Sequence, residues 1–378
     1  MDCSFETFTI DIDGYQGGLG GYYLIASPIQ EDVTPSEGNG FITDDFDLYY
    51  FDEGQASEWI NYDQGNGNIG FEALVSGKGY LYASNDSTTL IFRGTPYNGN
   101  GEVILRKTEN ADWSGWNLVG NPFAETAYLN DGRQFYTMRA DGAEIILAAI
   151  PTIEAMEGIF VVAESDEEIL TFTTEEFVKG SMVILNLSNN QGVIDRAMVR
   201  FDACRQLPKF QLNDNSTKLY ITMDNEDYAV VRSEEVGEMP VNFKAEENGT
   251  YTLNISADNI ELGYLHLIDN MTGDDIDLLA TPSYSFAART TDNVNRFKLV
   301  YATGILSVSE DFAFFSNGSF VINNEGNATL QVIDINGRVI SSETINGCAN
   351  VNVDGAAGVY LIRLVNGENV KVQKVVVK

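Results

Sequence analysis

Apolar and polar residues alternate in short runs along almost the whole chain. Ile221–Val231 is one run rich in β-branched and aromatic residues, and Val241–Lys244 and Tyr251–Ile255 are two more. The last two flank Asn248-Gly249, a pair that is typical of a hairpin turn. Strands of about four to seven residues, with turn residues about every 8–12 positions, are typical of β-sandwiches. The pattern predicts an all-β chain with more than about 40% strand, against about 20–25% in an average globular protein.

The clearest strand signals stand at the end of the chain. Val332–Ile335 leads into Asn336-Gly337-Arg338, Gly358–Leu364 follows, and Lys374–Lys378 closes the sequence. Asn336-Gly337 and Asn366-Gly367 favour the positive φ angles of tight hairpin turns. The order is therefore a strand ending in Asp-x-x-Gly-Arg, a Gly-Val-Tyr-x-x-Arg strand, and a basic, valine-rich last strand.

This order of motifs resembles the C-terminal sorting domain of type IX secretion cargo from Bacteroidetes. The resemblance implies a small Ig-like β-sandwich at residues 306–378, recognised by the type IX translocon and by a sortase-like surface protease. It places the protein outside the cell or on the outer cell surface. The residues that the resemblance assigns to the sorting signal are Asp334, Gly337, Arg338, Gly358, Tyr360, Arg363, Lys374 and Lys378. Arg338, Lys374 and Lys378 are candidate recognition contacts on an acidic chain, although Arg338 could equally solvate a hairpin arm.

Two longer segments precede this tail. The first, which includes Phe46–Glu53 and Gly115–Phe123, is similar to the β modules found upstream of sorting domains in large Bacteroidales surface proteins. The second is similar to the sandwich that often directly precedes the sorting domain. We therefore expect domains at residues 1–178, 179–303 and 306–378. The expected fold is two β-sandwich (jelly-roll-like) modules followed by the small Ig-like sandwich.

The aromatic residues of the first segment allow two interpretations. In Gly115–Phe123, alternation puts Trp116 and Leu118 on one face, and Pro122 ends the strand because proline cannot donate to the ladder. Trp116 is therefore interpreted as a core residue. Other rings could instead form a face for a sugar, since Tyr and Trp combine a flat apolar area with a polar edge. The candidate ligand-binding aromatics are Trp59, Tyr80, Tyr82 and Trp113.

The net charge of −34 is concentrated in the first segment, where residues 1–180 hold 31 acidic and 7 basic side chains. Nucleic acid is disfavoured as a partner because phosphate binding needs clustered Lys and Arg. The acidity indicates either solubility at a cell surface or calcium binding, since calcium prefers carboxylate oxygens from loops. The candidate calcium ligands are Asp11, Asp13, Asp44, Asp45 and Asp47, and the segment around Asp11 and Asp13 is predicted to be a loop. No EF-hand spacing is present, and no other cofactor is expected.

Residues with catalytic chemistry are sparse. The one histidine, His266, stands between leucines on a predicted strand, where a half-buried structural role is expected. The three cysteines, Cys3, Cys204 and Cys348, form no CxxC motif. Nothing marks a pair of carboxylates for glycoside hydrolysis. The sequence therefore names no catalytic residue, and we expect the chain not to be an enzyme.

Export and function are the last expectations. No stretch approaches the roughly 18 apolar residues of a membrane span, and Met1–Ser4 lacks the basic start and apolar core of a signal peptide. We interpret the chain as the C-terminal part of a longer exported protein. The expected function is that of structural or adhesive surface modules with a secretion and attachment signal. The alternative is a carbohydrate- or protein-binding module, appended to an upstream enzyme or adhesin, whose partner is a glycan or a host surface protein.

Overall fold

The structure is a computed structural model that describes residues 5–15, 20–42, 45–62, 70–176, 180–210, 215–233, 236–303, 312–334, 338–353, 357–366 and 369–377. Strands make up 57% of the chain, which confirms the predicted all-β fold. The helical structure in these ranges is a single 3₁₀ turn at Glu37–Asn39. Within the same ranges, no helix has the length and apolar character that crossing a bilayer requires.

The strands are numbered in chain order. They are β1 (Glu6–Ile12), β2 (Tyr23–Ala26), β3 (Phe46–Phe51), β4 (Trp59–Asn61), β5 (Gly79–Ser84), β6 (Thr88–Gly94), β7 (Glu102–Leu105), β8 (Trp116–Gly120), β9 (Tyr128–Leu129), β10 (Tyr136–Met138), β11 (Ile145–Leu147), β12 (Gly158–Val162), β13 (Glu168–Thr173), β14 (Met182–Asn189), β15 (Gly192–Arg200), β16 (Leu207–Pro208), β17 (Lys218–Met223), β18 (Glu226–Arg232), β19 (Val236–Lys244), β20 (Gly249–Asp258), β21 (Leu262–Asp269), β22 (Asp275–Asp277), β23 (Ser283–Ala288), β24 (Phe297–Thr303), β25 (Ala313–Ser316), β26 (Ser319–Ile322), β27 (Asn327–Asp334), β28 (Val339–Asn346), β29 (Ala349–Asn352), β30 (Gly358–Asn366) and β31 (Asn369–Val377).

The chain divides into two compact units. The first comprises residues 1–179 together with 204–212, and the second comprises residues 180–203 and 213–378. Sequence reasoning did not anticipate that Cys204–Leu212 belongs to the first unit. The three domain boundaries expected from the sequence stay a prediction, because residues 177–179 and 304–311 lie outside the described part of the chain.

The first unit contains four sheets with antiparallel pairing. Their strand orders are β2-β5-β3-β4, β1-β6, β11-β10-β12-β8 and β7-β13-β9. Because alternate residues of a strand point to the same face, these sheets enclose two apolar clusters. One contains Ile25, Leu48, Tyr82 and Phe92, and the other contains Leu105, Leu129, Phe135, Ile159 and Phe172.

The Gly-Asn-Pro end of β8 is a packing device. A Cβ atom on Gly120 would lie 2.4 Å from the Cβ of Ala26, so only glycine fits between these strands. Asn121 is fully buried, and its Nδ2 lies within hydrogen-bond distance of the carbonyl oxygens of Glu125, Ile153 and Glu154. This motif is therefore structural.

In the second unit, strands β14, β15 and β17–β24 form one continuous sheet, which we call the ten-stranded module. Its order is β22-β21-β24-β19-β17-β18-β15-β14-β20-β23. The β15–β18 pair is parallel, whereas the other neighbours are antiparallel. A single core draws on strands along this whole path, with Leu185, Val199, Leu219, Val241, Leu253, Leu267 and Leu299 among its buried residues. The sheet therefore curves around its own core as a sandwich does.

Strands β25–β31 form a separate two-layer fold, which we call the C-terminal sandwich. One layer has the order β25-β26-β29 and the other has the order β28-β27-β30-β31. Between them lies a core of Phe312, Phe320, Leu330, Val332, Tyr360, Ile362, Leu364 and Val375. The β27–β28 and β30–β31 pairs confirm both hairpins predicted at the end of the chain.

The C-terminal sandwich packs on the ten-stranded module within the second unit. Val321 of β26 joins Tyr264, Ile268, Val300 and Ala302 in one buried apolar cluster, which we call the docking cluster.

Polar bonds support the same docking. Asn350 donates from Nδ2 to the Tyr264 hydroxyl at 3.3 Å, and Ser316 donates from Oγ to Glu238 Oε2 at 2.6 Å.

Candidate functional site

The outward face of strands β30 and β31 is an accessible surface of the C-terminal sandwich. Tyr360, Ile362 and Leu364 point into the sandwich core, so Leu361 and Arg363 face outward. On β31, Val372 and Val376 are exposed by 56% and 53%. Strand β31 stands at the end of its sheet.

Cross-strand register places cationic and apolar side chains side by side on this face. Leu361 is paired with Lys374, and Arg363 is paired with Val372. Leu361 is also opposite Ile333 on the other neighbouring strand. We call Leu361, Arg363, Val372, Lys374 and Val376 the outward face. It carries exposed valine and leucine together with positive charge on an otherwise acidic protein.

Asp334 and Arg338 close the turn of the Asp-x-x-Gly-Arg motif. The Asp334 carboxylate accepts from the backbone N–H of Arg338 at 2.9 Å and from its Nε at 3.1 Å. The Asp334 N–H donates back to the Arg338 carbonyl at 2.9 Å. The Arg338 side chain is nevertheless 78% exposed. The motif therefore fixes the hairpin while leaving one guanidinium in solvent. Gly337 lies outside the described residues.

The other predicted signal residues differ in how far their side chains are buried. Tyr360 is buried, and its ring meets Phe320 edge-on with centroids 5.4 Å apart, so it acts in the core. Gly358 begins β30 opposite Val377. Arg363 is half-buried and donates from Nη1 to Gln331 Oε1 at 2.7 Å. Lys374 is exposed, and Lys378 lies outside the described residues.

Gln373 joins the two layers of the C-terminal sandwich, and sequence reasoning missed it. Its Oε1 accepts from the backbone N–H groups of Phe312 and Ala313 at 2.5 and 2.6 Å. Its Nε2 donates to the Ala313 carbonyl at 2.8 Å. A polar residue at an inward position of a valine-rich strand was the one available signal.

The predicted four-residue aromatic face is wrong for two of its members. Tyr80 and Tyr82 are 1% and 0% exposed and belong to the apolar core of the first unit. The Tyr80 hydroxyl accepts from the Val75 N–H at 2.9 Å, and burial raises the pKa of Tyr82 to about 12. These rings are covered because strand β5 is central in its sheet and both of its faces are packed.

Trp59 and Trp113 are half-buried and meet around one ring. Phe51 contacts both indoles edge-on, with centroid distances of 5.2 Å to Trp59 and 6.4 Å to Trp113. Trp116 is buried, as predicted, with its ring 4.5 Å from that of Phe210. Two of the four candidate aromatics are therefore brought together, in a cluster with a partly accessible rim.

The candidate calcium ligands are engaged separately. Asp11 lies in strand β1, which corrects the loop predicted there, and its Oδ1 accepts from Thr89 Oγ1 at 2.8 Å. Asp47 lies in strand β3, and its two oxygens accept from the hydroxyls of Tyr22 and Tyr49 at 2.9 and 3.2 Å.

The remaining candidate calcium ligands are placed as follows among the described residues. Asp13 is exposed, and its backbone N–H donates to the Tyr23 hydroxyl at 3.0 Å. Asp45 is exposed next to β3, and Asp44 lies outside the described residues. Over the described ranges, no three or more His, Cys, Asp or Glu side chains are grouped to hold a metal ion. Calcium binding therefore stays an untested prediction.

His266 has the half-buried place in a sheet that was predicted. Its ring stacks on Tyr264, with centroids 4.0 Å apart and an angle of 4° between the planes. Its Nδ1 lies 2.7 Å from Asp275 Oδ1. Burial raises the pKa of Tyr264, and the nearby Asp275 and Asp277 raise it further. The group supports the sheet beside the docking cluster.

Comparisons with known proteins bear on the C-terminal sandwich. Residues 316–378 match the family described as the secretion system C-terminal sorting domain. No curated protein matches the chain. A solved structure, the BSP domain of a biofilm-associated protein, aligns with 100% of this chain and 96% of its own at 12% identity. Its TM-score of 0.19 is too low to indicate a shared fold. The family match, the two-layer sandwich and the motif geometry identify the chain as a type IX secretion cargo that is delivered to the cell surface by a C-terminal sorting domain.

Proposed function

We propose that the chain displays non-catalytic structural or adhesive β modules at the cell surface, and that the outward face of its C-terminal sandwich is the surface read by the secretion machinery. The single observation that carries this proposal is the pairing of Leu361 with Lys374 on β30 and β31. It places exposed apolar groups and a cation together at the end strand of a sheet. Exposed apolar surface next to charge is typical of a recognition site.

Charge supports the same surface. Residues 306–378 hold 7 acidic and 5 basic side chains, a net charge of −2, whereas residues 1–180 have a net charge of −24. A negatively charged partner surface attracts Lys374 and Arg363 but is repelled by the acidic first unit. Charge therefore helps to orient the cargo. The type IX translocon is the proposed partner, and a sortase-like surface protease is proposed to act on the same domain.

The opposite layer of the C-terminal sandwich has a different role. Strand β26 contributes Val321 to the docking cluster, and Ser316 of β25 binds Glu238 of the ten-stranded module. The layer made of β25, β26 and β29 is thus engaged within the chain, which leaves the outward face of the other layer for a partner.

Ion pairs between titratable side chains support a structural role for those residues. Three ion pairs engage titratable side chains with one another: His266 with Asp275, Arg296 with Asp269, and Glu168 with Arg133. Each pair ties neighbouring strands or loops together.

The test is export of the full chain fused to an inert reporter in a type IX-competent host. Lys374→Glu reverses the charge at the centre of the outward face, and we expect reporter to accumulate in the periplasm. Lys371→Glu is the matched control: it makes the same change on the same strand, but at an exposed position with the parity of the inward face. Its export should equal that of the parent chain.

Surface delivery that is unchanged in Lys374→Glu would remove the outward face from the recognition surface. Equal loss in both variants would indicate a general charge effect. Deleting Gly358–Lys378, which removes β30 and β31, is expected to abolish export altogether.

A carbohydrate-binding role is the alternative function, and one observation favours it. Trp59 and Trp113, which the sequence selected as candidate ligand residues, contact the same Phe51 ring and are both half-buried. An adhesive module needs such a contact surface.

A further inference from the structure

Two segments of the first unit meet where strand β3 ends. Phe51 is the last residue of β3 and is paired with Trp59 at the start of β4. The connection from β7 to β8, residues 106–115, contributes Trp113. Phe160 is fully buried beneath, with its ring 5.1 Å from Phe51 and 6.0 Å from Trp59. Phe51 and Phe160 therefore form an apolar floor, and the two half-buried indoles stand at its rim.

A buried carboxylate lies beside this floor. Glu53 is 3% exposed, and its Oε1 accepts from the Thr108 N–H at 2.6 Å. Its Oε2 has no hydrogen-bond partner among the described residues. A buried carboxylate oxygen without a donor destabilises the fold. Such an atom in a folded protein requires an explanation, and a donor on a bound ligand is one.

Position links this carboxylate to the aromatic rim. Phe51 and Glu53 are both buried, whereas Asp52 between them is more exposed. Thr108, which binds the other carboxylate oxygen, lies in the same connection that carries Trp113. Glu53 thus lies two residues beyond the end of β3, and its carboxylate is bonded to the connection that carries Trp113.

The two indole rings add hydrogen-bond donors to this rim. Across the residues that the structure describes, no hydrogen bond is donated by the Nε1–H of Trp59 or Trp113. Each ring offers a flat apolar surface and an N–H at its edge. Aromatic surface, N–H donors and a carboxylate acceptor together complement a pyranose ring, which has C–H groups on its faces and hydroxyls around its edge.

We propose that Trp59, Trp113 and Glu53 form a binding subsite for a neutral pyranose unit of a glycan, with a sugar hydroxyl donating to Glu53 Oε2. The subsite rests on the alternative function proposed above. The net charge of −24 over residues 1–180 disfavours uronic acid and sulfated chains, because a second negative charge at Glu53 is repelled.

Isothermal titration calorimetry of the full chain tests the subsite. The probes are cellohexaose, mannohexaose and chitohexaose as neutral chains, hexagalacturonic acid as an anionic chain, and choline as an organic cation. We expect at least one neutral hexasaccharide to bind and hexagalacturonic acid not to bind. Trp59→Ala and Trp113→Ala should each weaken that binding by about tenfold, as the loss of about 1.4 kcal/mol of aromatic contact implies.

Two further variants separate contact from folding. Glu53→Gln keeps the shape of the side chain and the Thr108 bond but puts an NH2 donor in place of the Oε2 acceptor, and binding should fall several-fold. Trp113→Phe keeps an aromatic ring and removes the indole N–H, so it should give an intermediate loss. Tyr97→Ala is the matched control, because Tyr97 is also half-buried in the first unit but contacts Phe123 instead. Near-ultraviolet circular dichroism of each variant reports its fold.

The outcomes are distinct. If no neutral probe binds, or if binding survives in Trp59→Ala and Trp113→Ala, the subsite is overturned. Binding of choline with no sugar binding would also overturn it, since the rim would then be a cation cage. Sugar binding that survives in both tryptophan variants overturns the subsite but leaves the carbohydrate-binding function in place, whereas the absence of any sugar binding removes both, so the two failures are distinguishable.

Discussion

Gln373 pairs with the backbone of Ala313 as a neighbouring strand would. The side-chain Oε1 accepts from the Ala313 N–H at 2.6 Å, and the Nε2 donates to the Ala313 carbonyl at 2.8 Å. The same Oε1 also accepts from Phe312. A single carboxamide therefore links the first strand of the C-terminal sandwich to its last strand.

Replacing this carboxamide should destabilise the C-terminal sandwich. In Gln373→Ala two backbone N–H groups lose their acceptor in a partly buried place, and we expect the free energy of unfolding to fall by about 1–3 kcal/mol. Urea denaturation followed by circular dichroism measures the change. Lys374→Ala is the control, because this exposed neighbour has no such bonds to lose; an equal loss in both variants would contradict the pairing role.

The buried pair of Arg296 and Asp269 should matter more for the ten-stranded module. Asp269 Oδ2 accepts from Nε and Nη2 of Arg296 at 3.1 and 2.8 Å, and both side chains are almost completely buried. Arg296 also lies 4.3 Å from the centroid of the Phe286 ring. Asp269→Asn removes the nearer of the two carboxylates that face this buried guanidinium and leaves only Asp292, 3.8 Å from Nη1, so we expect a loss of about 3 kcal/mol.

Lys298→Ala provides the comparison for that pair. Lys298 meets Glu238 at 3.3 Å, but its side chain is partly open to solvent. Such a pair contributes about 0–1 kcal/mol. Thermal or urea unfolding of the two variants should therefore rank Asp269→Asn far below Lys298→Ala. Similar stabilities would show that the buried pair is dispensable.

The alternation of apolar and polar residues predicted most of the fold, because this alternation is visible within a single strand. Alternating burial is visible on β6 and on β30, where inward residues such as Leu90, Phe92 and Ile362 are separated by more exposed ones. The hairpins of the tail followed from their Asn-Gly turns. The Asp334–Arg338 motif was recognised, and the structure adds that its two ends are bonded to each other.

The local pattern could not predict contacts between residues that are far apart in the sequence. Alternation assigns Tyr80 and Tyr82 to one face of β5 but does not reveal that neighbouring sheets cover both faces. Phe210 lies far along the chain from Trp116, yet its ring packs on that indole at 4.5 Å. Glu53 gave no signal at all, because a buried carboxylate looks like any acidic turn residue until its surroundings are known.

Glu168 should make the first unit sensitive to acid. Burial raises its pKa, but bonds from Arg133, the Glu164 N–H and Arg205 outweigh burial and lower the pKa from 4.5 to about 2. A carboxylate with a lowered pKa in the folded state stabilises the fold above pH 4.5. That contribution is lost as the pH falls from 4.5 towards 2.

The measurement is the difference in unfolding free energy between the parent chain and Glu168→Gln as a function of pH. We expect the parent to be more stable at neutral pH and the difference to shrink between pH 4.5 and 2. Glu167→Gln is the control, since this exposed neighbour only approaches Arg106 at 3.9 Å. A difference that is constant over this range would exclude Glu168 as the acid-sensitive group.

Removal of the C-terminal sandwich tests how it is docked. A chain ending at Thr303 keeps the whole core of the ten-stranded module, so that module should still unfold cooperatively. It loses Val321, however, and thereby uncovers Tyr264, Val300 and Ala302 of the docking cluster. We expect the truncated chain to bind more of a hydrophobic dye such as ANS than the full chain, and to melt at a lower temperature.

Asn350→Ala, which removes only the bond to the Tyr264 hydroxyl at 3.3 Å, should leave dye binding unchanged. Equal dye binding by the truncated and full chains would mean that the apolar contact is not maintained in solution.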